Sequence, residues 1–132
     1  MSDDIINWQT EVPYKNLADA LDYLCLWMPT EEAGELVDGF KECPVSWLQA
    51  HTVLSACHLP ILTKKDPHVK NDLQRIDDGE ELAPIFIVRG CILANAKPLV
   101  ADGYHRLCAA YLCDPNELVP CLVIDHPDED IF

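Results

Sequence analysis

The apolar pattern switches from helical to strand period at "APIFIV", residues 83–88, and this switch limits the fold more than any other feature. The run is short, rich in β-branched residues and bounded by Pro84 and Gly90, which predicts a buried strand. "ILANAKPLVA" then reads as the second half of a hairpin, with Asn95-Ala96-Lys97 at the turn. Asp102-Gly103 opens a helix over "YHRLCAAYLC", Asp114-Pro115-Asn116 closes it, and "LVPCLVI" (118–124) supplies a last strand. The order β, β, α, β after a helical first half predicts an α+β fold, a small mixed sheet packed with helices.

Upstream, the spacing is helical. "NLADALDYLCLWM" puts Leu17, Ala20, Leu21, Leu24 and Met28 on one face, with Asn16 as N-cap and Met28-Pro29 as the stop. Thr30 caps a second helix, "EEAGELVDGFKEC", whose acids sit in its first turn. Pro44 starts a third through "VSWLQAHTVLSAC". "HVKNDLQRIDDG" is a fourth, with Val69, Leu73 and Ile76 inward and Gly79 at its end. Residues 1–13 read as a loosely held arm and "DHPDEDIF" as an acidic tail. The expected organisation is an N-terminal helical subdomain (1–58) and an α+β core (59–132), compact as a single domain.

Charge and cysteine usage exclude several functions. The net charge is −14, from 23 acids and 9 bases. A chain so acidic is repelled by nucleic acid, because a general binder must displace counterions with Lys and Arg. Residues 1–42 hold ten acids and two lysines, for −8, whereas 44–75 carry Lys64, Lys65, Lys70 and Arg75 against Asp66 and Asp72, for +2. A local basic segment on an acidic protein suits a small anion. The seven cysteines are odd in number, lack a CxxC pair and sit mostly in apolar runs, as core thiols do. With no signal sequence and no span-length apolar run, the expected location is the cytoplasm, without a membrane partner.

The chemistry concentrates in "ADGYHRLCAA", residues 101–110. A strand feeding a helix through glycine leaves the first amides of that helix unpartnered, and the helix dipole adds positive potential there. Such a start is an anion site. Gly103 allows the turn, Tyr104 beside it is a further candidate phosphate-binding residue, Arg106 offers a planar fork to phosphate, and His105 can donate to the same anion or move a proton. Asp102 is the candidate for a magnesium ion, or alternatively the helix cap. Lys64, His68 and Lys70, from "KKDPHVK", are expected to cover the phosphates. Asp102 and His105 are the candidate catalytic pair.

The run "APIFIVRG…PLVADGYHRLCAAYLC…ELVPCLVI" resembles the ParB N-terminal/sulfiredoxin-like superfamily over about residues 59–124. It is most similar to small proteins in which "NPH" or "DPH" precedes "DGYHR", and "DPHVKNDL" (66–73) matches that first element. The resemblance implies that Gly103, His105 and Arg106 hold the phosphates of a nucleotide, as ATP, CTP or ADP is held in that superfamily, with magnesium. It also implies what is missing. Sulfiredoxin has a cysteine directly after the glycine, and here Tyr104 stands there. The helix-turn-helix that follows the nucleotide domain of ParB has no counterpart before Phe132.

Two functions are therefore expected. One is a nucleotide- or phosphate-binding domain, acting as a phosphotransferase or nucleotide hydrolase on a small molecule. The other is a non-enzymatic acidic interaction module, a DNA-mimic inhibitor in its extreme form, with Trp8, Trp27 and Phe40 as contact anchors.

Overall fold

A computed structural model describes residues 5–90 and 97–126. Its elements in order are β1 (Asn7–Trp8), α1 (Tyr14–Leu24), α2 (Thr30–Phe40), β2 (Val45–Gln49), α3 (Ala50–Ala56), α4 (Pro67–Asp77), β3 (Glu81–Leu82), β4 (Ile85–Arg89), β5 (Leu99–Asp102), α5 (Tyr104–Cys113) and β6 (Leu118–Asp125). This is a mixed α+β architecture. The main sheet runs β2-β6-β4-β5, with β4 parallel to β6 and the other neighbours antiparallel, and β1 pairs β3 in a small parallel sheet. Among the described residues no helix is long and apolar enough to cross a membrane.

The unbroken apolar run that predicts a buried strand is explained by β4, which is covered on both faces. Ile85 and Ile87 point into a core shared with α3, α4 and α5. Phe86 and Val88 point into a second core under α1 and α2. Alternation along the strand thus feeds two apolar layers, and no polar face is left to solvent. Phe40 closes the second core, meeting Phe86 edge-on with ring centroids 5.0 Å apart. Phe40 is fully buried and so serves packing, whereas Trp8 and Trp27 are half-buried, packed against the two cores with part of each ring exposed.

Three local expectations are corrected. Residues 45–49 are a strand, not the first turns of a helix. Val45 through Gln49 pair with Leu122 through Leu118, and the helix starts only at Ala50. Five residues are too few for periodicity to separate a strand from a helix, and the neighbouring β6 decides. The segment 1–58 therefore contributes a strand to the main sheet, and its helices lie on both sheet faces. Residues 5–9 are tethered: Ile6 is buried, β1 pairs β3, and the Gln9 amide donates to the Leu82 carbonyl at 2.8 Å. Neither Asn16 nor Thr30 caps its helix, because prolines 13 and 29 occupy the N-cap positions. The hairpin turn at 95–96 and the acidic tail beyond His126 lie outside the described residues; Lys97 lies within them.

Candidate functional site

β5 delivers the chain to α5 through Gly103, whose φ of +106° is open to glycine and strained for other residues. A Cβ built there would lie 2.8 Å from Nη2 of Arg106 and 2.9 Å from Cδ1 of Ile85. Glycine is thus demanded twice, by the backbone angle and by the guanidinium packed against it. No side chain caps the start of α5.

Arg106 is turned inward. Its Nε donates to the Ala83 carbonyl at 3.0 Å, and Nη2 donates to the Pro84 carbonyl at 2.7 Å and to Oδ2 of Asp102 at 3.0 Å. Only 12% of the side chain is exposed. The same Asp102 oxygen accepts from Nδ2 of Asn16 at 2.8 Å. The guanidinium therefore ties the entry of β4 to the β5–α5 junction, and Asn16 ties that junction to α1. Its charge stands beneath the helix start, and its Nε and Nη2 donors go to protein oxygens.

The other motif residues divide in the same way. Tyr104 donates its hydroxyl to the Pro60 carbonyl, and the Leu62 amide donates to Sγ of Cys108 at 3.4 Å, so α5 holds the segment before α4 at two points. His105 is left facing outward, 41% exposed. Its ring lies 4.8 Å from that of His68, and its Nε2 is 3.9 Å from Oδ1 of Asp66. Asp66 is the N-cap of α4, accepting from the amides of His68 at 2.9 Å and Val69 at 3.1 Å, with Pro67 following as the first helical residue. The Val69 amide bond, then that of His68 and the neighbouring imidazoles, holds the Asp66 carboxyl below its ordinary range, against some desolvation. Asp72, one turn further along α4, is buried. Burial pushes its pKa up, and the charges of Arg106 and Arg75 oppose that rise.

Of the predicted cover, His68 alone reaches the start of α5. Lys64 lines a separate hollow with Leu73, Asp77 and Leu112. Lys70 is exposed on α4, two residues from His68, a spacing that sends side chains to different faces. The cation that lines the pocket bordering the helix start is Lys97, read in the sequence only as a turn residue; it precedes β5 and Gly103 follows that strand, so β5 stands between them. A pocket of about 470 Å³ is lined by Lys97, by Asp102 through His105, and across from them by Asp19, Tyr23 and Trp27 of the α1 region. Cys57 lines it too. Burial pushes that thiol up to about 11 while the nearby Lys97 charge works against the rise, so Cys57 is a neutral wall.

The residues do not assemble a resident magnesium site. One Asp102 oxygen already accepts two hydrogen bonds, and among the described residues no group of three or more His, Cys, Asp or Glu side chains is arranged to hold a metal ion. A magnesium ion at this pocket would have to arrive with the phosphates of a ligand.

Sequence reasoning missed Lys97, Asp66, Asp72 and the role of Asn16. Asp66-Pro67 had a readable signal, an N-cap residue followed by proline at the first helical position. Lys97 had none, because its place depends on the path of the hairpin. A scan against protein-family models and searches of curated proteins and of solved structures found no match.

Proposed function

We propose that this chain is a ParB/sulfiredoxin-like domain that binds a nucleotide or another phosphate-bearing small molecule. The phosphate end lies at the first amides of α5, beside His105. The observation that carries the reading is the uncapped α5 start, opening beside His105 onto a pocket of about 470 Å³. The element order β4, β5, α5, β6, with β4 and β5 antiparallel, is the order the resemblance implies and supports it further. Arg106 contributes a buried positive charge below the anion and keeps the turn in shape. A phosphoryl-transfer or hydrolytic step at this place would rest on His105, the outward imidazole beside Asp66, as the proton-transfer group. Asp102 supports the architecture from beneath through Asn16 and Arg106.

The test is a thermal-shift and calorimetry panel of ATP, CTP, ADP, GTP and pyrophosphate, with and without magnesium, on wild type, Lys97→Ala and His105→Ala. Arg106→Ala is a poor probe, because its loss leaves the Ala83 and Pro84 carbonyls and Asp102 without their donor. A ligand at 100 times its Kd stabilises by about 2.7 kcal/mol. The expected result is a shift that His105→Ala weakens, with Lys97→Ala reading whether the ligand extends along β5 to the far end of the pocket. No shift with any compound would sink the reading and turn attention to a protein partner for the acidic surface.

A further inference from the structure

We infer that the outer edge of β5 is a docking groove for an extended peptide of a partner protein, which adds to the main sheet as a further strand, antiparallel to β5, with its C-terminal carboxylate at Lys97. The inference goes beyond the anion-binding reading, which uses the α5 end of the same pocket, and does not rest on it. β5 is the last strand of the β2-β6-β4-β5 sheet, and among the described residues no strand pairs with its other side. The pocket follows that side. It is lined by the unbroken run from Lys97 to His105, whereas a cavity over one face of a strand would meet only alternate residues. Its walls come from both layers of the protein. Tyr23 and Trp27 belong with the core that Leu99 and Ala101 enter from β5, and Cys57 and Leu59 belong with the core that Val100 enters. A hollow bounded by both layers and by consecutive strand residues runs along the open backbone of the strand.

The shape and charge of the groove specify its occupant. Natural sheet edges are blunted by charges, prolines, bulges or covering elements. β5 has Pro98 at its entry and a one-residue slip against β4 at Ala101, but Leu99 and Val100 between them carry no charge, and the two walls flank the edge without closing over it. A second copy of this chain does not fit edge to edge, because its own β5 carries the same walls and these collide before the strands meet. A single extended segment does fit. Its backbone pairs with β5 and its alternate side chains fall to the two walls. Tyr23 and Trp27, both half-buried, offer ring surface to one set, and Cys57 and Leu59 offer an apolar surface to the other. Charge sets the direction. Lys97 stands exposed just before β5 begins. Asp19, also exposed, lies one turn of α1 from Asn16, whose amide bonds Asp102 where β5 ends. An antiparallel peptide brings its carboxylate to Lys97 and its N-terminal part to Asp19, which favours a basic side chain there. The run from Lys97 to Asp102 spans about 20 Å, the length of about six extended residues.

The probe is a library of fluorescein-labelled hexapeptides with free C-terminal carboxylates, screened by fluorescence polarisation against the full chain. The best members should bind with a Kd of about 100 μM or tighter and favour a basic residue near the N-terminus. Amidating the carboxylate of the best peptide, or Lys97→Ala, should each weaken binding about three- to fivefold, and the two together no more than either alone, because they remove one contact. Asp19→Asn should erase the basic preference. N-methylation of alternate peptide nitrogens should weaken binding at least about tenfold in one register and far less in the other, since only one register faces β5. Amide hydrogen exchange should show new protection within Leu99–Asp102 when the peptide is bound. No binding by any member, equal tolerance of both methylation registers, or a carboxylate dependence that survives Lys97→Ala overturns the inference. Nucleotide binding in the panel above with no peptide bound overturns this inference alone and leaves the anion site standing. Failure of nucleotides and peptides alike, with a folded wild-type protein, overturns both.

Discussion

Alanine at position 103 is the sharpest perturbation of the β5–α5 junction. Three costs meet there. The φ of +106° costs a residue with a Cβ about 2 kcal/mol. The added carbon would stand 2.8 Å from Nη2 of Arg106 and 2.9 Å from Ile85, so something must move, and Ile85 is fully buried in the core. If the guanidinium gives way, its bonds to the Pro84 carbonyl and Asp102 are lost or bent, at about 2–3 kcal/mol for charged donors in a covered site. The sum is about 4–5 kcal/mol. For a chain of 132 residues this lowers Tm by about 12–20 °C. Gly34→Ala is the control, since its Cβ meets nothing within 4 Å inside α2; it should be neutral or stabilise by about 0.5–1 kcal/mol. Both are read by thermal unfolding followed by circular dichroism. Because the two residues touch, Gly103→Ala combined with Arg106→Ala should cost less than the two single changes added together. A Gly103→Ala protein melting within about 2 °C of wild type, or strict additivity in the double variant, would refute the claim that Arg106 packs onto this glycine.

Two further outcomes follow from other parts of the molecule. The amide bonds from Val69 and His68 hold the Asp66 carboxyl below the ordinary carboxylate range, so its contribution to stability is complete above that range and is lost as pH falls through the folded value. Asp66→Ala should therefore lower Tm at pH 7 and converge with wild type in strong acid; a gap that persists unchanged would show that the charge-assisted cap is not the cause. Burial pushes the Cys57 and Cys121 thiols up to about 11 and about 12, and raises Cys108 as well, whereas Cys25 is exposed. Thiol labelling located by mass spectrometry should modify Cys25 first and the three buried thiols only on unfolding. Early labelling of Cys57 would contradict its place in the pocket wall.

The motif "ADGYHR" illustrates how residue chemistry can be legible while its use is not. Its position between a strand and a helix is readable because a β-branched run precedes Asp102 and an alanine-rich periodic run follows Gly103. What each side chain binds is not readable. Arg106 offers donors suited to phosphate, and equally suited to carbonyls. The choice falls to Ala83 and Pro84, which arrive 23 and 22 residues earlier in the chain. Asn16 resembles an N-cap until α1 is packed on β5, where its amide meets Asp102 across 86 residues.

The sequence alone determined the elements whose signals are local: the helical face from Leu17 to Met28, the two-sided strand at Ile85–Val88, the stop at Gly79 and the glycine turn before α5. Those signals act over one or two turns of chain, so no distant partner is needed to form or read them. Tertiary structure alone decided that Val45–Gln49 is a strand, that Ile6 is buried and that Lys97, not Lys64 or Lys70, lines the pocket along β5. Each of these depends on a hydrogen-bonding edge or an apolar face supplied from far along the chain. Such partners exist only once the sheet has brought them together.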